Sequence, residues 1–226
     1  MTIAENCAAV MGNIARAAAE AGRRPEEVKL IAVTKYVDAA RIKEIIPCGI
    51  RDVGENRVQE LREKYDFYKN SSFGIHFIGQ LQTNKVKYVK GSVELIHSVD
   101  RLSLACAIGG FRPEVEQDVL IEVNIGDEPQ KGGVAPGELP GFAEALSKTP
   151  GLRVKGLMCV PPPCGEAEAR RYFSRMRELS ERLEAYAFPN VFMEELSMGM
   201  SGDYMSAVKE GATMVRIGTA LFGPRV

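Results

Sequence analysis

Short apolar runs alternate with helical patterns along most of this chain. The strand-like runs occupy residues 29–35, 51–56, 74–80, 94–99, 118–124, 152–160, 191–199 and 212–220. Helical patterns fill the intervals at residues 38–46, 56–66, 83–89, 101–109, 137–148, 166–186 and 203–210. This alternation is typical of parallel strands that are joined by crossover helices.

The strand–helix repeats predict an α/β protein built as a single (β/α)8 TIM barrel, at the short end of that fold's usual length. A doubly wound open sheet is the main alternative. Its dinucleotide-binding form is disfavoured because no GxGxxG motif follows the first strand. The chain has no linker and no domain-sized change of composition, so we expect one domain over residues 1–226.

The N-terminal segment predicts one further helix, over residues 2–21, which packs on the barrel within residues 1–25. Its apolar positions recur at helical spacing; they are Ile3, Cys7, Val10, Met11, Ile14, Ala18 and Ala21. Gly22 and Pro25 are suitable stop signals. The segment lacks a basic start and a continuous apolar stretch, so it does not resemble a signal peptide.

Composition narrows the functional classes. The 29 basic and 30 acidic residues give a net charge of −1, which offers no bulk attraction to nucleic acid or anionic membranes. No apolar run reaches the roughly 18 residues that a membrane span needs. The five cysteines form no CxxC pair and are typical of reduced cytosolic thiols, and two histidines disfavour a His-rich metal site. We therefore expect a cytoplasmic protein without nucleic-acid, membrane or metal partners.

In a barrel of this kind, the chemistry lies at the C-terminal ends of the strands. The first strand-like run ends in Lys35. An amine that is desolvated in a barrel mouth has a lowered pKa and can form a Schiff base with an aldehyde. A lysine that simply reaches solvent is the alternative, and the spacing alone leaves both open.

The last two strands end in the small-residue segments "GMSG" and "RIGT". Backbone and hydroxyl groups here, including those of Ser201, Gly218 and Thr219, suit an anion such as a phosphate. Turn and capping roles are the alternative. Asn56 can equally be the N-cap of the next helix, and Arg216 can equally be an ion-pair partner of Glu122 or Glu195.

Eight segments in order, "AVTK", "GENRVQE", "HFIGQLQTNK", "IHSVD", "VLIEVNIGDEPQKGG", "GLMCV", "ELSMGMSGDY" and "VRIGTALFG", resemble the motifs of the YggS/PROSC family of pyridoxal 5′-phosphate (PLP) homeostasis proteins. The resemblance covers residues 29–224, nearly the whole chain. It implies the fold-type III barrel that alanine racemase also uses, and PLP as the cofactor. Two positions differ from the common pattern: Tyr36 stands where Thr is frequent, and Arg57 replaces the Tyr of "GENYVQE".

The resemblance also implies a role for six residues. Lys35 forms the internal aldimine with the cofactor aldehyde, Arg216 faces the pyridine nitrogen, and Asn56 lies beside the ring. The phosphate-binding positions are Ser201, Gly218 and Thr219. The family further implies a monomer.

The residues favour a carrier over an enzyme. Arginine only donates hydrogen bonds, so the pyridine nitrogen beside Arg216 stays unprotonated and the ring is a weaker electron sink. Racemases of this fold also take a second acid–base group from a partner's extra domain, which we do not expect here. We therefore expect storage of PLP and its delivery to apo-enzymes, with no catalytic residue. A PLP-dependent amino-acid racemase or lyase, and a class I aldolase-type Schiff-base barrel, remain as alternatives.

Overall fold

The computed structural model, which describes residues 1–224, contains eight parallel strands that close into a barrel in chain order. The strands are β1 (Lys29–Val33), β2 (Asp52–Glu55), β3 (Gly74–Phe77), β4 (Leu95–Val99), β5 (Gln117–Val123), β6 (Leu152–Cys159), β7 (Val191–Ser197) and β8 (Met214–Ile217). Every predicted run contains its strand to within one residue. The predicted (β/α)8 barrel is therefore confirmed, and the open sheet is wrong.

Helices pack on the outside of the barrel. They are α1 (Ile3–Glu20), α2 (Ala39–Lys43), α3 (Val58–Asn70), α4 (Leu102–Gly110), α5 (Leu139–Ser147), α6 (Glu166–Glu184), α7 (Tyr204–Lys209) and α8 (Thr219–Phe222), with 3₁₀ turns at Pro25–Glu27, Thr83–Tyr88 and Pro136–Glu138. The pattern at 83–89 thus gives a 3₁₀ helix. Within the described residues, no helix combines the length and hydropathy that crossing a membrane requires.

Four strands, β1, β3, β7 and β8, end two or three residues earlier than their sequence patterns predict, and the ends of β1 and β8 matter for the site. β1 stops at Val33, so Lys35 lies in the loop that follows it. β8 stops at Ile217 because Gly218 turns the chain into α8, and the Gly218 carbonyl accepts the first hydrogen bonds of that helix. The predicted strand over 212–220 is therefore wrong in its last three residues.

The barrel interior changes from apolar to polar along the strands. Its apolar cluster is separated by the strands from the larger core beneath the helices, and consists of Ile31, Leu95, Leu120, Met158 and Met214. Because side chains alternate between the two faces of a strand, the next inward positions lie two residues further on. On three strands these positions hold buried polar residues, namely His97, Glu122 and Arg216.

Helix α1 packs against α7 and α8, which flank the two small-residue segments. A capping box between Thr2 and Glu5 begins the helix. The Asn6 side chain donates to the Leu221 carbonyl oxygen at 2.9 Å, and that of Asn13 donates to the Tyr204 hydroxyl at 2.9 Å. The buried face is Ile3, Cys7, Val10, Ile14, Ala17 and Ala18. The predicted face is wrong at Met11, which is exposed, and at Ala21, which lies past the helix end.

A buried polar network ties β1 and β2 to α3. The Glu55 side chain is fully buried, and its Oε1 accepts from Thr34 Oγ1 at 2.8 Å, from Tyr68 Oη at 2.5 Å and from Lys64 Nζ at 2.9 Å. Lys64 also donates to the Thr34 carbonyl oxygen at 2.8 Å. Burial, together with the Glu55 charge, raises the pKa of Tyr68. The network fixes the two strand ends that carry Lys35 and Asn56.

Glu122 carries a carboxyl group inside the barrel. Its side chain is 9% exposed, and Gln80 Nε2 donates to its Oε2 at 2.6 Å. Burial, helped by the nearby Asp100, raises the pKa of Glu122 to about 7, although Arg216 and the bond from Gln80 oppose the shift.

We expect Lys64→Met to lower the free energy of unfolding by roughly 3 kcal/mol, because the buried Glu55 carboxylate would lose its cation. Urea denaturation near neutral pH measures the change. Lys69 is exposed on the same helix, so Lys69→Met is the matched control and should change stability by less than about 0.5 kcal/mol. Equal losses in the two variants would contradict the role of Lys64.

We expect Glu122 to make stability depend on pH. Its pKa is raised on folding, so its contribution to stability is complete below the unfolded value and is lost as the pH rises through about 7. As the pH rises from about 4.5 to 8, the free energy of unfolding of Glu122→Gln should therefore increase by roughly 3 kcal/mol relative to that of the wild-type protein. Urea denaturation across this range tests it, with the exposed Glu178→Gln as control. A Glu122→Gln difference that stays constant with pH would exclude this titration.

Candidate functional site

A cavity of about 360 Å³ opens at the C-terminal ends of β1 and β8. This volume lies within the range of small-molecule sites. Five of the six residues that the family resemblance implies line it together, namely Lys35, Ser201, Arg216, Gly218 and Thr219. The remaining walls are Val33, Tyr36, Val37, Arg41, Met200, Gly202, Phe222, Gly223 and Pro224.

The chain turns sharply just after Lys35. Tyr36 adopts a left-handed backbone conformation with φ of 61°, which is unusual for a bulky residue and typically costs about 1–3 kcal/mol. Its amide donates to Glu60 Oε2 at 2.7 Å, and the Val37 amide donates to the Thr34 carbonyl oxygen at 3.0 Å. The half-buried Lys35, immediately before this turn, lines the cavity.

Arg216 forms the buried base of the cavity, with 4% of its surface exposed. Its Nη1 donates to Ser197 Oγ at 2.5 Å, and its Nη2 donates to the Cys159 carbonyl oxygen at 2.8 Å. Burial lowers the pKa of Arg216, but a guanidinium retains its proton in proteins. Among the described residues, neither Glu122 nor Glu195 forms the ion pair with Arg216 that the sequence left open.

The two small-residue segments meet across one side of the cavity. Ser201 Oγ accepts from the Ala220 amide at 3.2 Å, so its own hydroxyl hydrogen is available to another acceptor. Gly199 has φ of 92°, and a Cβ there would lie 2.5 Å from the Cβ of Ala207, so only glycine permits this approach. Asp203 Oδ1 accepts from the Met200 amide at 2.6 Å and fixes the turn.

Asn56 lies at the same end of the barrel but borders a neighbouring cavity of about 830 Å³ together with Arg57 and Gln80. The register of β1 and β2 pairs Val33 with Gly54, so Lys35 and Asn56 follow at equivalent positions. Asn56 thus follows the strand next to that of Lys35, and it lies outside the lining of the first cavity. A ring contact by Asn56 remains a prediction.

The two positions that differ from the common family pattern contact each other at the rim. The Arg57 guanidinium lies over the Tyr36 ring, 4.9 Å from its centroid, as in a cation–π interaction. The loop of residues 126–138 follows β5 and carries Lys131, whose ammonium pairs with Glu128 at 2.5 Å. The rim beside Lys35 is therefore formed in part by the Tyr36–Arg57 contact.

The lining suits a small molecule that bears both an aldehyde and a phosphate group. Lys35 supplies an amine, and Ser201 and the glycine-rich segments supply a hydroxyl and closely approachable backbone. Arginine has five N–H donors, of which two are used by Ser197 and Cys159. Because Arg216 also lines the cavity, a further N–H group of this side chain can donate to a ring nitrogen there.

Comparisons with known proteins support the same interpretation of the site. The family described as "Alanine racemase, N-terminal domain" matches residues 6–226. The chain is 46% identical over 228 residues to the "Pyridoxal phosphate homeostasis protein" of Aquifex aeolicus (strain VF5), covering 100% of this chain and 99% of the relative. It is 44% identical over 227 residues to the protein of that name from Pseudomonas aeruginosa (strain PAO1), covering 99% and 96%.

Among solved structures, PipY of Synechococcus elongatus PCC7942 with PLP bound matches with a TM-score of 0.84 at 33% sequence identity. The match covers 98% of this chain and 100% of PipY. With barrel, cavity and relatives in agreement over nearly the full length, this chain belongs to the YggS/PROSC family of pyridoxal phosphate homeostasis proteins.

Proposed function

We propose that this protein binds PLP as an internal aldimine on Lys35 and serves PLP homeostasis by storing the cofactor and delivering it to apo-enzymes. The observation that carries the proposal is the shared cavity of Lys35, Arg216 and the Ser201 segment. The names of the relatives and the PLP-bound structure of PipY support it.

Each group has a distinct role in this proposal. The amine of Lys35 would hold the cofactor through its aldehyde, with water as the leaving group. The Ser201 hydroxyl and the backbone of Gly218 and Thr219 would hold the phosphate. Arg216 would donate to the pyridine nitrogen, and Asn56 would flank the ring from the neighbouring strand end.

We propose a carrier without robust catalysis because of the chemistry of Arg216. A guanidinium beside the pyridine nitrogen donates a hydrogen bond and disfavours a proton on that nitrogen, which weakens the ring as an electron sink. Racemases of this fold also use an arginine there, so a residual activity is compatible with the proposal.

We further propose that the protein acts in the cytoplasm as a monomer. Size-exclusion chromatography with light scattering would test the monomeric state.

The first test is the visible absorbance of the protein mixed with PLP, before and after borohydride, followed by peptide mapping. We expect a yellow band whose reduction leaves one adduct, on Lys35. Lys35→Ala should lose the band, whereas Lys69→Ala, at an exposed lysine of α3, should keep it. A colourless protein, or adducts scattered over surface lysines, would favour the aldolase-type barrel, in which Lys35 binds a sugar-phosphate carbonyl directly.

The second test separates a carrier from an enzyme. We expect PLP-loaded protein to reactivate an apo PLP-dependent enzyme and to show no sustained turnover of D- or L-amino acids. Protein that is loaded, then reduced with borohydride, is the control and should not reactivate the apo-enzyme. Sustained racemisation that disappears in Lys35→Ala would identify a racemase instead.

A further inference from the structure

A continuous chain of hydrogen bonds runs through the barrel from Arg216 to the opposite end. Arg216 Nη1 contacts Ser197 Oγ at 2.5 Å, and Ser197 Oγ contacts His97 Nδ1 at 2.9 Å. The chain continues from His97 Nε2 to His76 Nδ1 at 3.0 Å, and from His76 Nε2 to Asp52 Oδ1 at 3.1 Å. Ser197, His97 and His76 are at most 1% exposed, so these contacts are shielded from solvent.

The acceptor at the far end sets the direction of these bonds. Burial raises the pKa of Asp52, but the bond from His76 and the charge of Lys29 outweigh it, so the pKa is lowered and the carboxylate only accepts. His76 Nε2 must therefore carry a hydrogen. If its Nδ1 carries none, that atom accepts the hydrogen bond from His97 Nε2.

The same logic continues to Arg216. Burial, helped by the nearby cations Arg216 and Lys29, moves the pKa of His97 well below its usual range, so this ring is neutral. When its Nε2 carries the hydrogen, its Nδ1 accepts from the Ser197 hydroxyl. The lone pairs of Ser197 Oγ then face Arg216 Nη1. In this arrangement every donor points from Arg216 toward Asp52.

We propose that Ser197, His97, His76 and Asp52 are positioning residues that hold the Arg216 guanidinium toward the cofactor cavity. A serine hydroxyl can rotate and present its hydrogen to any neighbour. Once His97 takes that hydrogen, Ser197 can only accept from Arg216, which fixes the guanidinium plane. The inference rests on the proposed role of Arg216 at the pyridine nitrogen, and assigns four residues that do not line the cavity to supporting that contact.

Several other charged groups lie near this chain of hydrogen bonds. The other ionisable groups that bear on it are Lys29 on β1, Glu94 before β4, Glu122 on β5, Cys159 on β6 and Asp203 before α7. Lys29 Nζ lies 3.6 Å from Asp52 Oδ1 and balances that carboxylate. Asp52, His76 and Glu94 bring ligand atoms within 4.8 Å of one another, so the imidazole measurement described next is made with a chelator present to exclude a bound cation.

The bond directions can be measured without any cofactor. The chain has two histidines in total, so untagged protein labelled with ¹⁵N gives two sets of imidazole signals. The proposed direction requires a hydrogen on Nε2 and none on Nδ1 in both rings, and we expect His97 to stay neutral as the pH falls. Both rings are expected to carry their hydrogen on Nε2, so the signals at neutral pH need not be assigned to individual histidines. An imidazolium, or a hydrogen on Nδ1, would overturn the proposed direction.

The effect on the cofactor is tested with an isosteric pair at Ser197. Ser197→Thr keeps a hydroxyl. Ser197→Val has the shape of threonine but lacks the hydroxyl. We expect Ser197→Val to bind PLP roughly tenfold more weakly and to shift the pH midpoint of the visible band, because a hydrogen bond to a charged group is lost. Ser197→Thr should stay within about twofold of the wild-type affinity, and so should Ser180→Ala at a buried serine of α6.

The outcomes separate the two proposals. Absence of a visible band in the wild-type protein overturns the proposed function, whatever the imidazole signals show. A wild-type band together with equal affinities and pH midpoints in the Thr and Val variants overturns the positioning role alone. Should both variants fail to fold, the imidazole measurement on the wild-type protein still decides the bond direction.

Discussion

The site depends on one buried cation. Arg216 carries a positive charge inside a closed barrel, where leaving its N–H groups without acceptors would cost several kcal/mol. The Ser197 hydroxyl and the Cys159 carbonyl oxygen accept two of its bonds. Since these acceptors belong to β6 and β7, the guanidinium position is set by three adjacent strands. The chemistry proposed for the mouth follows from this constraint, because the cation fixes which hydrogen-bonding partner a ring nitrogen meets.

Barrel closure brings the other groups to the same place. Lys35 follows β1 and Thr219 follows β8, and these strands are neighbours only because the sheet closes on itself. The buried Glu55 network holds the end of β1 from outside, while α1 packs on α7 and α8 at the opposite wall. Two separate supports thus stabilise the two walls of the cavity that the cofactor would bridge.

The sequence predicted the fold well because strand and helix periodicities are local. Every predicted run contains its strand to within one residue. The ends of β1 and β8 were predicted two and three residues too late, because they are set by the turn at Tyr36 and by the start of α8 at Gly218. Met11 was wrongly predicted to lie on the buried face of α1, because its spacing suits that face. Packing against α7 determines which residues are buried, and it leaves Met11 exposed.

The site was only partly predictable. Lys35, Ser201 and Arg216 were found from strand ends and family motifs. The His97–His76–Asp52 chain was not, because its members lie on three strands and nothing local connects them. The alternation of side chains along a strand could have indicated part of it. His97 lies two residues after Leu95, and Arg216 lies two residues after Met214, so both side chains point into the barrel.

The most direct measurement is a crystal structure of the protein with PLP. The account predicts continuous density between Lys35 Nζ and the cofactor, with the phosphate against Ser201, Gly218 and Thr219. It also predicts an Arg216 nitrogen about 2.7–3.2 Å from the pyridine nitrogen. A cofactor bound elsewhere on the protein, or a pyridine nitrogen that faces a carboxylate instead of Arg216, would contradict it.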